Sequence, residues 1–430
     1  MADPRRAARM KASDLFDAES PNPGVDYLSK LPSELIGRIY KLAYAKAKPT
    51  EPLSRMLRPF YDEFIFRKVK ATSDRRVKEF EQMLKDRPAI GLHVRDLTWE
   101  EEANPSDAAR GSLAHAFSCM PSLHTLSFRT THGQYLDLLL PTDDPTKSIL
   151  PTSLVVLKLA LSSDTRCDAY DPQKLVALGS LPHLTKLDLD FRHKYQSPQD
   201  AQSEPSELVL SRVHSLSVGL PKHLSSVNAF ISGFPHLRRL TLTSHKSSPD
   251  FASALASVKS PAEVVELTLK ASPKAGWRFP DELAALSSLA ALNLAGKFDD
   301  LPLEAYQVFQ HVPVRTLALG KKSTISGAAL CGLVKSEKLT PGLETLRLDH
   351  LKAIAPDPDE YVTGDPQDVL AQFQFPEWTS AFTFQHLLTS LDLSRQRKIQ
   401  AVGSAFEVIG IMAEQDLYME EMGMWRTREM

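Results

Sequence analysis

Apolar and polar residues alternate in a short pattern that recurs along most of this chain. The pattern is apolar-x-x-Leu-x-apolar, and successive copies start 24 to 31 residues apart, apart from a final interval of 45. In one copy, Leu187 and Leu189 flank the polar Asp188. A period of two predicts a short β-strand with one apolar face. The eleven middle positions are all leucine: Leu97, Leu126, Leu157, Leu187, Leu216, Leu240, Leu267, Leu292, Leu317, Leu346 and Leu391.

Strands this short cannot form independent sheets, but strands stacked side by side bury one continuous core. The intervening stretches of about 20 residues predict a helix or an irregular return. Four copies carry a proline two residues before the first apolar position, where it would end the returning segment: Pro121, Pro182, Pro235 and Pro341. We therefore predict an α/β solenoid of about eleven irregular repeats over residues 91–396, with an insertion at 352–386.

The repeated unit resembles the leucine-rich repeat, and the resemblance covers residues 94–394. A regular leucine-rich repeat has Asn or Cys a few residues after the strand. Here Arg192 takes that place in one repeat, and Ser244 or His245 in another. The resemblance therefore implies a leucine-rich-repeat solenoid with irregular turns.

The N-terminal region has a different pattern. Residues 1–28 contain charged residues and two prolines without a long apolar stretch, and we expect a disordered tail. Residues 29–90 predict a small helical module, with helices at 31–44, 53–69 and 76–87. Residues 397–430 predict a C-terminal capping helix, which would cover the open end of the last repeat.

Three motifs support a second resemblance: Leu31-Pro32-x-Glu34-Leu35-Ile36-x-x-Ile39, Leu53-Ser54-Arg55-x-x-Arg58-Pro59-Phe60, and Arg87-Pro88 leading into the first repeat. The module resembles the F-box, in the divergent form found in front of many fungal leucine-rich-repeat proteins. The resemblance implies a substrate receptor of an SCF-type (Skp–cullin–F-box) ubiquitin ligase, with a Skp-type adaptor and a cullin scaffold as partners. Six apolar residues would contact the adaptor: Leu31, Pro32, Leu35, Ile36, Ile39 and Leu42.

A second interpretation needs no adaptor, because the open end of a solenoid requires a cap. Residues 31–88 would then only cap the repeats, and the protein would be a leucine-rich-repeat scaffold or inhibitor outside any ligase. The two roles are compatible with one another.

Composition narrows the classes of function. The net charge is -2, from 51 basic and 53 acidic residues, which argues against a nucleic-acid binder. Residues 30–90 carry 15 basic and 8 acidic residues, a net +7 that could steer an acidic adaptor or simply solvate helix faces. No apolar run reaches the ~18–20 residues of a membrane helix. Three cysteines are too few for a disulfide framework, and we expect reduced thiols in a cytoplasmic or nuclear protein.

The sequence contains no motif for catalysis, for a cofactor or for a metal, so we expect a binding protein and not an enzyme. Histidines recur beside the repeats, as in His124, His183, His214 and His236, and this placement predicts a role in turns. An unknown protein client would bind the polar strand positions, and we expect neither nucleic acid nor a membrane as a partner. The candidate client residues are Arg129, Lys158, Lys186, Asp188, Asp190, Arg239, Glu266, Lys270, Arg347 and Asp349.

Overall fold

The computed structural model describes Leu35, Arg38 and residues 58–102, 107–141, 148–162, 176–191, 209–220, 225–244, 251–271, 279–298, 301–320, 323–349, 384–403 and 405–407. Several predictions from the sequence lie outside the described residues. They concern the tail at 1–28, most of the insertion at 352–386, the end of the C-terminal helix after 407, and the adaptor residues Leu31, Pro32, Ile36, Ile39 and Leu42.

Twelve parallel strands form the main sheet, and they follow one another in chain order. They are β1 (Lys68–Ala71), β2 (Asp96–Glu101), β3 (Thr125–Thr130), β4 (Val156–Leu161), β5 (Lys186–Phe191), β6 (Ser215–Leu220), β7 (Arg239–Ser244), β8 (Glu266–Ala271), β9 (Ala291–Ala295), β11 (Thr316–Leu319), β13 (Thr345–Leu348) and β14 (Gln400–Val402). Two short strands, β10 (Lys297–Phe298) and β12 (Thr324–Ile325), pair separately. The protein is therefore an α/β protein, and its repeated parallel strands are compatible with a solenoid.

Helical segments connect the strands. The α-helices of the described residues are α1 (Arg58–Phe66), α2 (Asp74–Asp86), α3 (Asp107–Ser118), α4 (Gln134–Leu139), α5 (Ser225–Ser232), α6 (Phe251–Ala256), α7 (Gly327–Lys335) and α8 (Phe384–Gln396). Short 3-10 helices span Pro88–His93, Ala177–Ser180, Pro261–Glu263, Asp281–Ala285 and Leu303–His311. Within these ranges, each helix is too short or too polar to cross a lipid bilayer.

The middle leucines form the spine of the core. Leu97 lies beside Leu126, and the same register continues strand by strand to Leu346. Each of these leucines is at most 3% exposed. Ten of the eleven strands predicted from the sequence are thereby confirmed.

Backbone hydrogen bonds repeat with the same regularity. At ten successive junctions, two consecutive amides at the start of one strand donate to a single carbonyl of the preceding unit, at 2.8–3.2 Å. The first carbonyl belongs to Arg67 and the tenth to Arg315. The sequence predicts irregular turns because the asparagine position is lost. Those turns follow the strands; at the edge where the strands begin, backbone groups hold the units in constant register.

Tight turns precede several of the strands. The Leu123 amide donates to the Met120 carbonyl at 3.2 Å, and the Leu184 amide donates to the Leu181 carbonyl at 3.3 Å. Pro121 and Pro182 therefore occupy the second position of a four-residue turn, which proline favours because its φ is fixed.

The predicted eleventh strand is wrong, because residues 384–396 form α8. Leu387, Ser390 and Ser394 are fully buried at a spacing of three and four residues, which is helical. The serine hydroxyls donate to carbonyls of the same helix, Ser390 to Leu387 at 2.8 Å and Ser394 to Ser390 at 2.7 Å. They therefore behave as small buried residues that a search for apolar positions does not detect.

The predicted C-terminal helix is wrong at its start. Gln400–Val402 is β14, which pairs with β13 and adds a twelfth strand to the sheet. Residues 405–407 are helical.

The prediction of a small helical module over 29–90 is wrong in part, because the described residues include a strand. Helix α2 confirms the helix predicted at 76–87, but the helix predicted at 53–69 ends at Phe66, and β1 follows it. Strand β1 pairs with β2 in the register of the repeats, with Val69 beside Leu97. The sheet therefore begins inside the predicted module, before the expected boundary at residue 91.

Candidate interaction surface

Among the described residues, the helices pack against one face of the main sheet. On that face the Trp99 ring packs edge-on against Phe80 of α2 and Phe117 of α3, with ring centroids 6.3 and 6.2 Å apart. The opposite side chains are partly or fully exposed at nearly every position of the described strands. Parallel sheets are usually covered on both faces, so this open face is a candidate interaction surface. We call the outward side chains of the main sheet the strand face.

All ten candidate client residues lie on the strand face. They alternate with buried leucines on β3, β4, β5, β7, β8 and β13, and Asp349 directly follows β13. The register brings Lys158 of β4 beside Asp188 of β5. The pattern of the sequence thus locates this set of side chains on one surface, although they extend over many strands.

Ion pairs link neighbouring charges on this face. Arg129 Nη1 lies 3.1 Å from Glu100 Oε1, across β3 and β2. Arg239 Nε lies 3.3 Å from Glu266 Oε2, across β7 and β8. Arg347 Nε lies 2.6 Å from Asp349 Oδ2, two residues further along the chain. Each of these guanidinium groups therefore has a carboxylate beside it on the strand face.

Between the charged positions lies a floor of shorter side chains. Directly after the middle leucines stand Ser217, Thr241, Thr268, Asn293 and Ala318, on five consecutive strands of the main sheet. Asn293 Nδ2 donates to Thr268 Oγ1 at 3.2 Å and to Glu266 Oε1 at 3.4 Å. The polar members of this set offer hydroxyl and amide groups. All five side chains are short, so the backbone of a partner can approach the sheet closely.

Strand β1 contributes two cations that the sequence reasoning missed. Lys68 and Lys70 are exposed on the strand face, and Lys68 Nζ lies 3.7 Å from Asp96 Oδ2. The repeat pattern with a middle leucine does not include β1, because β1 has valine at the middle position. The alternation of Lys68, Val69, Lys70 and Ala71 is the feature of the sequence that indicates this strand.

The repeated histidines lie at the turns, as predicted. His124 Nδ1 is 2.7 Å from the Ser122 carbonyl, and His214 Nδ1 is 3.1 Å from the His236 carbonyl. His236 Nδ1 is also 3.2 Å from Glu263 Oε2 of the next unit. His214 and His236 therefore connect neighbouring units along the edge where the strands begin, and His124 bonds within its own turn.

One candidate adaptor residue is described. Leu35 is helical and 47% exposed, and Arg38 is helical and exposed one turn later. Residues three apart share one face of a helix, so an apolar and a cationic side chain lie together there. A large exposed leucine is available for contact with a partner.

The two candidate surfaces offer chemistry for binding. The strand face provides ion pairs, hydroxyls and amides, and Leu35 provides an exposed apolar side chain. Within the described ranges, histidine, cysteine and carboxylate side chains form no group of three or more suited to a metal ion. A scan against models of protein families and a search of curated proteins each found no match to this chain.

Proposed function

We propose that this protein is a substrate receptor of an SCF-type ubiquitin ligase. A leucine-rich-repeat solenoid would hold a protein client on its strand face, and the N-terminal F-box-like helices would hold a Skp-type adaptor on a cullin scaffold. The proposal rests above all on the open strand face. At about 4.8 Å between strands, twelve strands give a continuous surface about 50 Å long.

The mechanism is positional. The receptor holds a client close to a ubiquitin-loaded enzyme that the same complex recruits, and proximity increases the rate of transfer. The receptor therefore needs neither a catalytic residue nor a cofactor of its own. Its site of action is the cytoplasm or the nucleus.

The adaptor surface comprises Leu31, Pro32, Leu35, Ile36, Ile39 and Leu42. Among the described residues, the exposure of Leu35 supports it, because a leucine left half in water gains free energy when a partner covers it. The cationic Arg38 beside it suits an acidic adaptor.

A pull-down of the full chain with a purified Skp-type adaptor tests the proposal. Wild type should bind, and the double variant Leu35→Asp/Ile39→Asp should not. The matched control is Leu92→Asp/Val265→Asp, which adds the same charge at two exposed apolar positions outside residues 31–42. If wild type fails to bind, or if both double variants bind as well as wild type, the ligase role is refuted.

A second candidate function has an observation in its favour. Residues 58–93 continue the sheet, since β1 pairs with β2 and Phe80 packs on Trp99. This arrangement suits a cap on the solenoid. A scaffold or inhibitor outside any ligase would need the N-terminal residues only for that purpose. A wild-type chain that binds no adaptor would support this alternative.

A further inference from the structure

The strand face exposes its positive charges and half-buries its negative ones. Among the described strands, five acidic side chains point to this face, and all five are only partly exposed: Asp96, Glu100, Asp188, Asp190 and Glu266. Directly after the strands, Asp349 is partly exposed and Glu102 is exposed. Eight basic side chains point the same way, and seven of them are exposed: Lys68, Lys70, Arg129, Lys186, Arg239, Lys270 and Arg347. The eighth, Lys158, is partly exposed.

The ion pairs follow the same rule. In the four ion pairs described on this face, the basic side chain is 57–77% exposed and the acidic side chain is 25–41% exposed. The short carboxylates lie close to the sheet, and the longer cationic side chains extend past them. A partner that approaches the strand face therefore meets cations first, although the whole chain has a net charge of -2.

We propose that the strand face binds an acidic, extended segment of a protein client. The inference rests on the proposed function only in placing the client on this face. Charge complementarity selects the acidic partner, because its carboxylates would meet the outer cations and not the carboxylates beneath them.

The spacing of the cations suits an extended chain that runs across the strands. Lys186 of β5 and Arg239 of β7 occupy the same row, separated by Ser215 of β6. Two strand spacings are about 10 Å, which an extended peptide covers in about three residues. Lys270 projects from the adjacent β8 beside Thr243, four residues further along the strands than the row of Arg239. Between Lys186 and Arg239, strand β6 presents only serines and a glycine, which project little from the sheet. Two acidic residues about three positions apart in a peptide can therefore reach both cations.

A nucleic acid fits the same face less well. Arg129, Arg239 and Arg347 each have a carboxylate within 3.3 Å, and a close row of phosphates would be repelled by those carboxylates. A peptide with separated carboxylates can pair with the outer side of each guanidinium group. The observations therefore favour an acidic protein segment.

Fluorescence anisotropy of the full chain with labelled probes tests the proposal. The probes are a peptide of repeating Gly-Ser-Glu units, the matching Gly-Ser-Gln peptide and a single-stranded oligothymidine. Wild type should bind the acidic peptide more tightly than either of the others, and high salt should weaken that binding. If the glutamine peptide or the oligothymidine binds as tightly, the proposal fails.

Two triple variants locate the site. Lys186→Gln/Arg239→Gln/Lys270→Gln should weaken binding of the acidic peptide by about tenfold. Lys259→Gln/Lys335→Gln/Lys338→Gln removes the same charge from exposed positions in the connections between strands and should leave binding unchanged. If both variants lost the same binding affinity, the acidic peptide would respond only to the net charge of the chain, and the proposal would be overturned.

Charge reversal separates a lost site from a lost fold. Lys186→Glu/Arg239→Glu/Lys270→Glu should still unfold cooperatively, at a somewhat lower temperature because Arg239→Glu faces Glu266. It should bind a repeating Gly-Ser-Lys peptide in place of the acidic one. If the folded variant binds neither peptide, the strand face is not the site. The peptide assay contains no adaptor, so its failure is distinguishable from failure of the adaptor pull-down.

Discussion

The two ends of the main sheet are held together in different ways. From β2 to β8 each strand has six residues, and two amides bind one carbonyl at every junction. From β11 to β14 the strands have four, four and three residues. The junction from β13 to β14 has only the Gln400 amide on the Glu344 carbonyl, at 2.8 Å. The repeat therefore weakens towards its C-terminal end.

Individual side chains compensate at that end. Arg397 donates to the Val334 carbonyl at 2.6 Å and to the Thr340 carbonyl at 2.7 Å, which ties the segment after α8 to the end of α7. Gly327 of α7 is so close to His386 of α8 that a Cβ would lie 2.1 Å from the ring. The regular part thus depends on repeated, interchangeable interactions, and the C-terminal part depends on unique ones.

The largest expected effect contrasts two leucines that the sequence treats as equivalent. Leu240→Ala removes a fully buried side chain from the spine, and we expect a loss of about 2–5 kcal/mol in the free energy of unfolding. Leu391→Ala alters a partly exposed residue of α8 and should cost clearly less. Urea denaturation of both variants measures the difference. Equal losses would mean that Leu391 occupies a spine position and that α8 is misassigned.

Regularity also explains how much of the fold could be predicted from the sequence. Ten strands were predictable because each one buries a single face, which places Leu-x-apolar at near-regular intervals along the chain. Strand β1 was missed because Val69 replaces the middle leucine, and α8 was misread because Ser390 and Ser394 occupy buried helical positions. Both errors occur at an end of the sheet, where fewer neighbours constrain the sequence.

The sequence predicts where the candidate site lies. It does not predict which of the charged side chains there form ion pairs or how exposed they are. Alternation along each strand is enough to place Arg129 or Lys270 on the strand face. The pairing of Arg129 with Glu100 depends on the register between strands, which a single repeat does not contain. The greater exposure of the cations follows from side-chain length and from contacts that only the three-dimensional structure shows.

The next effect tests the unique contacts of the C-terminal end. Arg397→Ala removes charged donors from two carbonyls and from Thr340 Oγ1, which is 3.0 Å away. We expect a loss of about 1.5–3 kcal/mol, with faster amide hydrogen exchange in β14 than in β7. Arg395→Ala is the control, since Arg395 is exposed and pairs only within α8, with Asp392 at 3.5 Å. A loss no greater than that of the control would contradict the role of Arg397.

A smaller effect is expected at the glycine that ends β14. Gly403 has φ +104°, and a Cβ there would lie 2.6 Å from the Leu348 carbonyl oxygen. Gly403→Ala should therefore cost about 1–2 kcal/mol in thermal or urea unfolding. Gly111→Ala is the matched change in α3, where a Cβ meets no atom within 4 Å. That variant should be neutral or slightly stabilising, because alanine favours a helix. A Gly403 variant as stable as wild type would refute this close approach.

The smallest effect concerns the reactivity of two cysteines, one in each region. Burial raises the pKa of the Cys331 thiol, which also donates to the His386 carbonyl at 3.5 Å across α7 and α8. Only the thiolate reacts with iodoacetamide, so Cys331 should be labelled slowly near pH 8, and its labelling rate should increase as the pH rises towards the raised pKa. Mass spectrometry of the labelled peptides measures this rate against Cys119, which lies on the turn after α3.

Arg397→Ala connects this reactivity to the comparison of the two ends. If Arg397 holds α8 against α7, its removal should expose the Cys331 thiol and speed its labelling, and Cys119 should react as before. If both cysteines were labelled faster in this variant, the cause would be global unfolding. Unchanged labelling of Cys331 would show that α8 stays in place through other contacts, such as the close packing of His386 on Gly327. The C-terminal end would then depend on shape complementarity more than on the arginine.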